Sequence, residues 1–441
     1  MTVKNKAPDH HVYQNAFSML GLLITSFVLL LVAFRQILNF HSEDFWEMTL
    51  FKAMLIYLVF ILFRTSILLL LSFSDRFFKR KAKALTHFPL VSVIVPCFNE
   101  EEVIQKAVQS VLNLNYPNFE VIIVDDGSTD LTLTLANTLL VEKRVRVIYQ
   151  RNQGKAEALN RGIEEALGEF VLCVDADSLI DSDVILNGLP YFEDDPLLGA
   201  VAGSVKVGNE KNILTRFQEL EYIVGLNFHK SAQSFLSMVT IVPGPIGLFR
   251  KKAIQAIGGY HSNTFAEDCD LTIRLLLAGY RTVYCPLMTA ITEAPEDFES
   301  LMKQRYRWSR GTLQAIKVNA VWLFQPWKSS RNFLLLFYML VETMFIPSIN
   351  FLFIIFFIQN AATSSNGLIL GPYFIQLTLL DVILVAYSVF QERSSAGLIF
   401  LAFINRLTYG LSMEVLRFFS LVDELVGLPM NWNKLQRKGI S

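Results

Sequence analysis

Charge is scarce in this chain, and what there is nearly cancels. Asp, Glu, Lys and Arg make up 18% of its 441 residues and the formal net charge is −1, so no global field recruits nucleic acid. Cysteine is equally sparse. The four present, Cys97, Cys173, Cys269 and Cys285, show no CxxC spacing, which removes the usual zinc and redox patterns. They read as small buried residues of strands and helices. No internal repeat or low-complexity tract interrupts the chain. No small-residue cleavage site follows the first long apolar run, which is therefore expected to persist as a helix rather than to be removed as a leader.

What the chain has in excess is apolar side chain, 52% of residues, with a positive mean hydropathy. A soluble protein of this length rarely carries so much, and the excess is clustered. Runs at 16–34, 48–73, 333–358, 367–390 and 396–420 each suit the roughly 20 helical residues that cross about 30 Å of hydrocarbon. The division predicted is a membrane block at 1–87 with two transmembrane helices and a basic linker, a globular domain at 88–330, and a second membrane block at 331–441 with two to three transmembrane or re-entrant helices and a basic tail. Arg76, Lys79, Arg80, Lys81 and Lys83 follow the second run, while Glu43, Asp44 and Glu47 precede it. The positive-inside rule then puts the domain in the cytoplasm, where disulfides are rare, on a multi-pass protein of the plasma membrane.

Five crossings would leave the C-terminus outside, yet Lys434, Arg437 and Lys438 argue for inside. One run is therefore expected to be interfacial or re-entrant. Within the apolar runs stand Glu342, Asp381, Arg406, Glu414 and Arg417, the last three on one side of a helix. Charged groups at such depth face protein or a water-filled path. A polymer channel and mutual ion pairing between helices both account for them.

In the middle of the chain, short β-branched runs alternate with helical periodicity. Strands are expected at Val91–Val95, Glu120–Val124, Val145–Tyr149 and Phe170–Val174, with helices at Glu100–Leu112, from Asp130 onward, and at Gly154–Leu167. That alternation indicates βαβ units and a parallel sheet, whose ligands sit at the carboxyl ends of the strands. Each strand end carries unusual polar residues: Asn99-Glu100, Asp125-Asp126, Asn152 to Lys155, and Asp175 with Asp177. Four ends converging on one edge form a stronger signal than any one motif.

Each motif has a plain and a sharp reading. Asp175-Ala176-Asp177 is a turn, or a pair of carboxylates sharing one hard cation, Mg²⁺ or Mn²⁺, with a diphosphate. Asp181 and Asp183 fit a helix start better than a ligand set. Asp125-Asp126-Gly127-Ser128 is a turn and N-cap, or a carboxylate that accepts the N3–H of uracil. Glu267-Asp268 stabilises the N-terminus of a helix over Cys269–Leu277, or supplies a general base for an acceptor hydroxyl. Gln304, Arg307 and Trp308 share a helix face at i, i+3 and i+4. They form an interfacial basic helix with a Trp anchor, or an Arg for a diphosphate beside an indole for a sugar ring.

Taken in order, Val91 through Glu100, Asp125 through Ser128, Asn152-Gln153-Gly154-Lys155, Asp175-Ala176-Asp177, Glu267-Asp268 and Gln304 through Trp308 resemble the processive family 2 glycosyltransferases. These are the poly-N-acetylglucosamine, chitin, hyaluronan and cellulose synthases, with their DDG, DxD, (T)ED and Q-x-x-R-W motifs. The likeness covers about 88–325 and the flanking membrane architecture, and Glu267 through Leu271 looks closest to the poly-β-1,6-N-acetylglucosamine synthases. Ala266 stands where many members have Thr, which loosens the subfamily but not the base.

The resemblance implies an α/β GT-A (Rossmann-like) cytoplasmic domain inserted between transmembrane α-helices, using a UDP-sugar. It implies that Asp125 or Asp126 holds uracil, with Asn99, Lys155 and Asp175 near the nucleotide. Asp175 and Asp177 would hold the metal, Asp177 directly. Asp268 would be the base, Gln304 and Arg307 would bracket the diphosphate, and Trp308 would floor the acceptor site. The expected product is a β-linked polysaccharide, most simply of N-acetylglucosamine, passed across the bilayer. The resemblance leaves room for a small membrane accessory subunit. A single-transfer enzyme with a lipid acceptor needs the same donor site without a channel. An inactive transport or binding subunit would be expected to have lost carboxylates that are all present.

Overall fold

A computed structural model describes residues 10–39, 45–78, 85–209, 212–363 and 367–429. Among the described residues, eight strands follow the apolar runs of the middle third: β1 (Val91–Cys97), β2 (Phe119–Asp125), β3 (Val145–Tyr149), β4 (Phe170–Cys173), β5 (Ser178–Ile180), β6 (Leu198–Val207), β7 (Gly247–Arg250) and β8 (Arg281–Thr292). They form one sheet in the order β3-β2-β1-β4-β7-β6-β8-β5. The first four are mutually parallel, as a βαβ alternation requires, and β7 then pairs antiparallel with both β4 and β6. β1 and β4 are buried at every position, the signature of strands covered on both faces. One apolar layer, including Val93, Val121 and Leu172, lies on one face of the sheet. A second, including Ile94, Ile122 and Val171, lies on the other.

β1 runs two residues past the expected stop, through Pro96 and Cys97. Its ladder to β4 ends at Ile94 opposite Cys173, so β4 no longer flanks Pro96, and only the β2 ladder continues. The helix expected from Glu100 starts at Ile104, because Glu100 sits in a turn bonded to Thr132.

Among the described residues, four helices are long and apolar enough to cross a membrane: Phe17–Gln36, Phe51–Phe78, Ser330–Gln359 and Gly371–Glu392. The fifth run departs from a straight span. It breaks into Gly397–Asn405 and Tyr409–Val426, bent by 53°. The Ser330–Gln359 span carries a π-helical turn at Val341–Phe345. Glu342 in that turn receives both arms of Arg64, with Nε at 2.5 Å from Oε1 and Nη2 on Oε2. Arg406 reaches Asp381 with Nε at 2.9 Å and Nη2 at 2.8 Å, and Arg417 pairs with Glu414 at 3.2 Å. Glu342, Asp381, Arg406, Glu414 and Arg417 thus each have a charged partner, and for Glu342 that partner is Arg64. Lys79 to Lys83, Glu43, Asp44 and the tail from Lys434 to Lys438 lie outside the described residues.

Candidate active site

The parallel strands bring their four carboxyl ends to one edge, and the loops there are bonded to each other. Asn99, with φ of 53°, accepts from the Thr129 amide at 2.7 Å while its own amide donates to Ser128 Oγ at 2.9 Å. Asp125 is fully buried, its Oδ1 accepting from the Ser128 amide at 3.0 Å. Asp126 accepts from Gln150 Nε2 at 2.7 Å, the Gln153 amide at 2.9 Å and the Gly154 amide at 2.8 Å. The plain turn reading of this pair is therefore visible. Oδ2, with the Gly154 amide alone on it, keeps a lone pair for one more donor such as the N3–H of uracil. Gly127 cannot be replaced freely, since a Cβ there would lie 2.7 Å from the Asn152 amide and φ is +76°.

Held this way, the Asn152–Gly154 loop aims Lys155, first residue of the helix Lys155–Glu165, at the end of β4. Lys155 Nζ lies 2.5 Å from Asp175 Oδ1 and 3.2 Å from Glu267 Oε1. Burial lowers the affinity of this amine for its proton, but Asp175 and Glu267 outweigh it and hold Lys155 charged well above the usual range. Burial also opposes ionisation of Glu267, yet Lys155, with Arg307 contributing, keeps its carboxyl below the usual range.

Asp268 follows the opposite course. Its Oδ1 accepts from the Cys269 amide at 2.8 Å and its Oδ2 from the Gly244 amide at 3.3 Å. Burial, reinforced by the adjacent Glu267, pushes it up to about 6. Two neighbouring carboxylates thus have separated affinities for a proton, the pattern of an acid–base site. Gly244, which the sequence analysis did not single out, closes the cluster. A Cβ there would come 2.8 Å from Lys155 Nζ and 2.9 Å from Asp175 Oδ2. The loop signal Pro243-Gly244-Pro245 was there to be read.

Among the described residues no three His, Cys, Asp or Glu side chains gather as a metal cage. A cation held by one or two carboxylates and completed by phosphate oxygens needs no such cage. Asp175 is engaged by Lys155. Asp177 is half-buried, accepts from the Ser178 hydroxyl at 3.1 Å and faces a small hollow lined by Val103, Lys106, Ala107 and Leu179. Its hard oxygens fit a divalent cation. Asp181 and Asp183 lie in the turn before the short helix Val184–Gly188, where the Asp183 amide donates to Asp181 Oδ1 at 2.9 Å.

The helix Phe298–Val318 carries the last motif and starts with Asp297 capping the Ser300 amide at 2.8 Å. Its Gly311 lies directly on Ala266, where a Cβ would meet Ala266 Cβ at 2.8 Å. That close approach docks the helix against the segment that presents Glu267 and Asp268. Gln304 is buried and bonded to Arg305, while Arg307 and Trp308 are only partly buried. The indole packs against protein beside Tyr222, ring centroids 6.4 Å apart, rather than standing out toward lipid. Sequence reasoning overlooked Arg305, which helical spacing puts off the Gln304–Trp308 face and which no motif letter marks.

Residues 92–258 match the family model described as glycosyl transferase family 2. The chain is 36% identical over 222 residues to a poly-β-1,6-N-acetyl-D-glucosamine synthase of Staphylococcus aureus strain COL, covering 50% of this chain and 54% of that one. It is 35% identical over 222 residues, with the same coverage, to the synthase of that name from Staphylococcus epidermidis. The chain thus spans about half the length of the curated relatives it matches, 54% of each. A mannosyltransferase of Pyrobaculum calidifontis, solved in complex with GDP-Man and Mn²⁺, superposes on 86% of this chain and all of its own with a TM-score of 0.61 at 20% identity. The sheet domain therefore has the GT-A fold, and the edge built by β1 to β4 is its candidate active site.

Proposed function

We propose that this chain is a membrane-embedded, inverting hexosyltransferase that moves a sugar, N-acetylglucosamine first, from a UDP-sugar to the end of a growing β-linked polysaccharide. The observation that carries the reading is Asp268, proton affinity raised to about 6, held by the Gly244 amide beside the Lys155–Asp175 pair. Asp268 takes the proton of the acceptor hydroxyl as that oxygen bonds to the anomeric carbon. The bond from that carbon to the diphosphate oxygen breaks on the opposite face, which inverts the centre and releases UDP. Lys155 and Arg307 are the cations available to the leaving diphosphate. Asp177, with Asp175 beside it, would hold Mg²⁺ or Mn²⁺, which neutralises diphosphate charge when bound. Trp308 offers the acceptor sugar an apolar platform.

The basic residues after the second span support a cytoplasmic catalytic domain at the plasma membrane, with the product passed outward between the C-terminal helices. Purified protein in lipid nanodiscs, given radiolabelled UDP-N-acetylglucosamine or UDP-glucose separately, should yield polymer from the first. A single labelled sugar on lipid would replace this reading with single transfer. No label in any product from either donor would overturn it.

A further inference from the structure

Arg305 lies at the centre of a buried polar unit behind Trp308. It is 4% exposed, and its Nε donates to both oxygens of Glu221 at 3.1 and 2.9 Å while Nη2 reaches Oε2 at 2.7 Å. Nη1 donates to the Gln304 side-chain oxygen, and Nη2 lies 3.4 Å from Gln218 Oε1. The guanidinium carbon stands 4.3 Å from the centre of the Trp308 ring system and 5.6 Å from that of Tyr222. It therefore covers one face of the indole, and a sugar stacking on Trp308 must use the other.

Glu221 has a further donor. The Tyr409 hydroxyl bonds to its Oε2, and the Tyr409 ring stacks on Phe217 with centroids 5.5 Å apart and planes 10° from parallel. Tyr409 is the first residue of Tyr409–Val426, the segment that follows the 53° break in the last apolar run. Glu221 itself closes the helix Ile213–Glu221 where it passes into the π-helical turn Tyr222–Phe228. The carboxylate thus takes hydrogen bonds from the motif helix and from the bent C-terminal pair together. A planar guanidinium fixed at several donors cannot tilt without breaking one of them. Any displacement of the bent pair at Tyr409 reaches the indole through Glu221 and Arg305.

We propose that Glu221, Arg305 and Tyr409 are a positioning unit that sets the plane of Trp308, fixing the register of the acceptor sugar and making product length depend on the bend in the last apolar run. The proposal rests on Trp308 being the acceptor platform. Arg305 touches no substrate in this scheme, and its effect passes through the indole.

The test uses full-length protein in nanodiscs with UDP-N-acetylglucosamine, and compares Arg305→Lys, Tyr409→Phe, both together, and Trp308→Ala. Arg305→Lys keeps the charge and loses the plane, while Tyr409→Phe keeps the Phe217 stack and loses one donor. In the Arg305 and Tyr409 variants, donor KM and the initial rate of UDP release should stay within about twofold of the parent, because the donor site is untouched. Median product length should fall about fivefold or more in Arg305→Lys and less in Tyr409→Phe, and the double variant should be no shorter than Arg305→Lys, as expected for members of one unit. Unchanged product length in the single variants, whatever happens to thermal stability, overturns the proposal. If Trp308→Ala alone shortens the product, only the positioning unit falls. If Trp308→Ala also leaves length unchanged, the acceptor-platform reading falls with it. Should Arg305→Lys not fold, Tyr409→Phe decides.

Discussion

Replacing Asp268 by Asn separates chemistry from folding, because the structure predicts opposite signs for the two. With its proton affinity raised to about 6, the carboxylate is ionised in nearly all molecules at pH 8 and in only about a tenth of them at pH 5. A base must be ionised to accept a proton, so kcat/KM of the parent should rise about tenfold between pH 5 and pH 8, with its midpoint near 6. Asn cannot accept that proton. The variant should lose about 10²–10⁴-fold in kcat and its residual rate should no longer follow that curve.

Stability goes the other way. The native state binds this proton more tightly than the unfolded chain does, so the stabilisation is present below the ordinary Asp value and is lost as pH rises through about 6. At pH 8 the charged carboxylate is a burden, and Asp268→Asn should leave the fold unchanged or more stable by on the order of 1 kcal/mol. The assay is UDP release against pH, paired with thermal unfolding of the same preparations. A variant with parental kcat, or one whose activity loss tracks a loss of folded protein, would refute the reasoning.

Gly244→Ala should raise the donor KM about tenfold, some 1.4 kcal/mol, because its methyl would meet both Lys155 Nζ and Asp175; unchanged KM in a folded variant would show that the pair tolerates displacement. Activity should require added Mg²⁺ or Mn²⁺ and Asp177→Ala should raise that requirement or abolish turnover, an expectation that full activity in excess EDTA would defeat. Trp308→Ala should spare UDP affinity and shorten the product, through loss of an aromatic contact worth on the order of 1 kcal/mol, whereas Arg307→Ala should weaken donor use itself. Product of parental length from Trp308→Ala at the parental rate would remove the indole from the acceptor site.

How much of this was legible beforehand differs by element. The β3 strand is found where its alternating run put it, Val145–Tyr149, because a short β-branched segment between turn signals has few other ways to bury itself. The carboxylates at the strand ends were legible for a related reason. Parallel strands must send all their carboxyl ends to one edge, so polar residues after each strand meet there whatever the intervening helices do. The sequence was silent on what those residues bond to. That Asp126 holds the Gln153–Gly154 loop, that Lys155 lies between Asp175 and Glu267, and that Gly244 caps Asp268 all join residues tens of positions apart.

By itself, then, the order of motifs and apolar runs determined the parallel β1–β4 part of the sheet with its carboxylates, and long apolar segments on either side, since periodicity is a property of local sequence. The antiparallel pairings of β5 and β7 were not legible. Tertiary structure alone decided which of those polar residues are tied up and by what. Arg305, unlike Arg307, is buried because Glu221 and Tyr409 come to it from other parts of the chain. Arg64 finds Glu342 for the same reason. The cost of leaving a charge unpaired away from water forces such partnerships, but only the assembled fold brings the partners within reach.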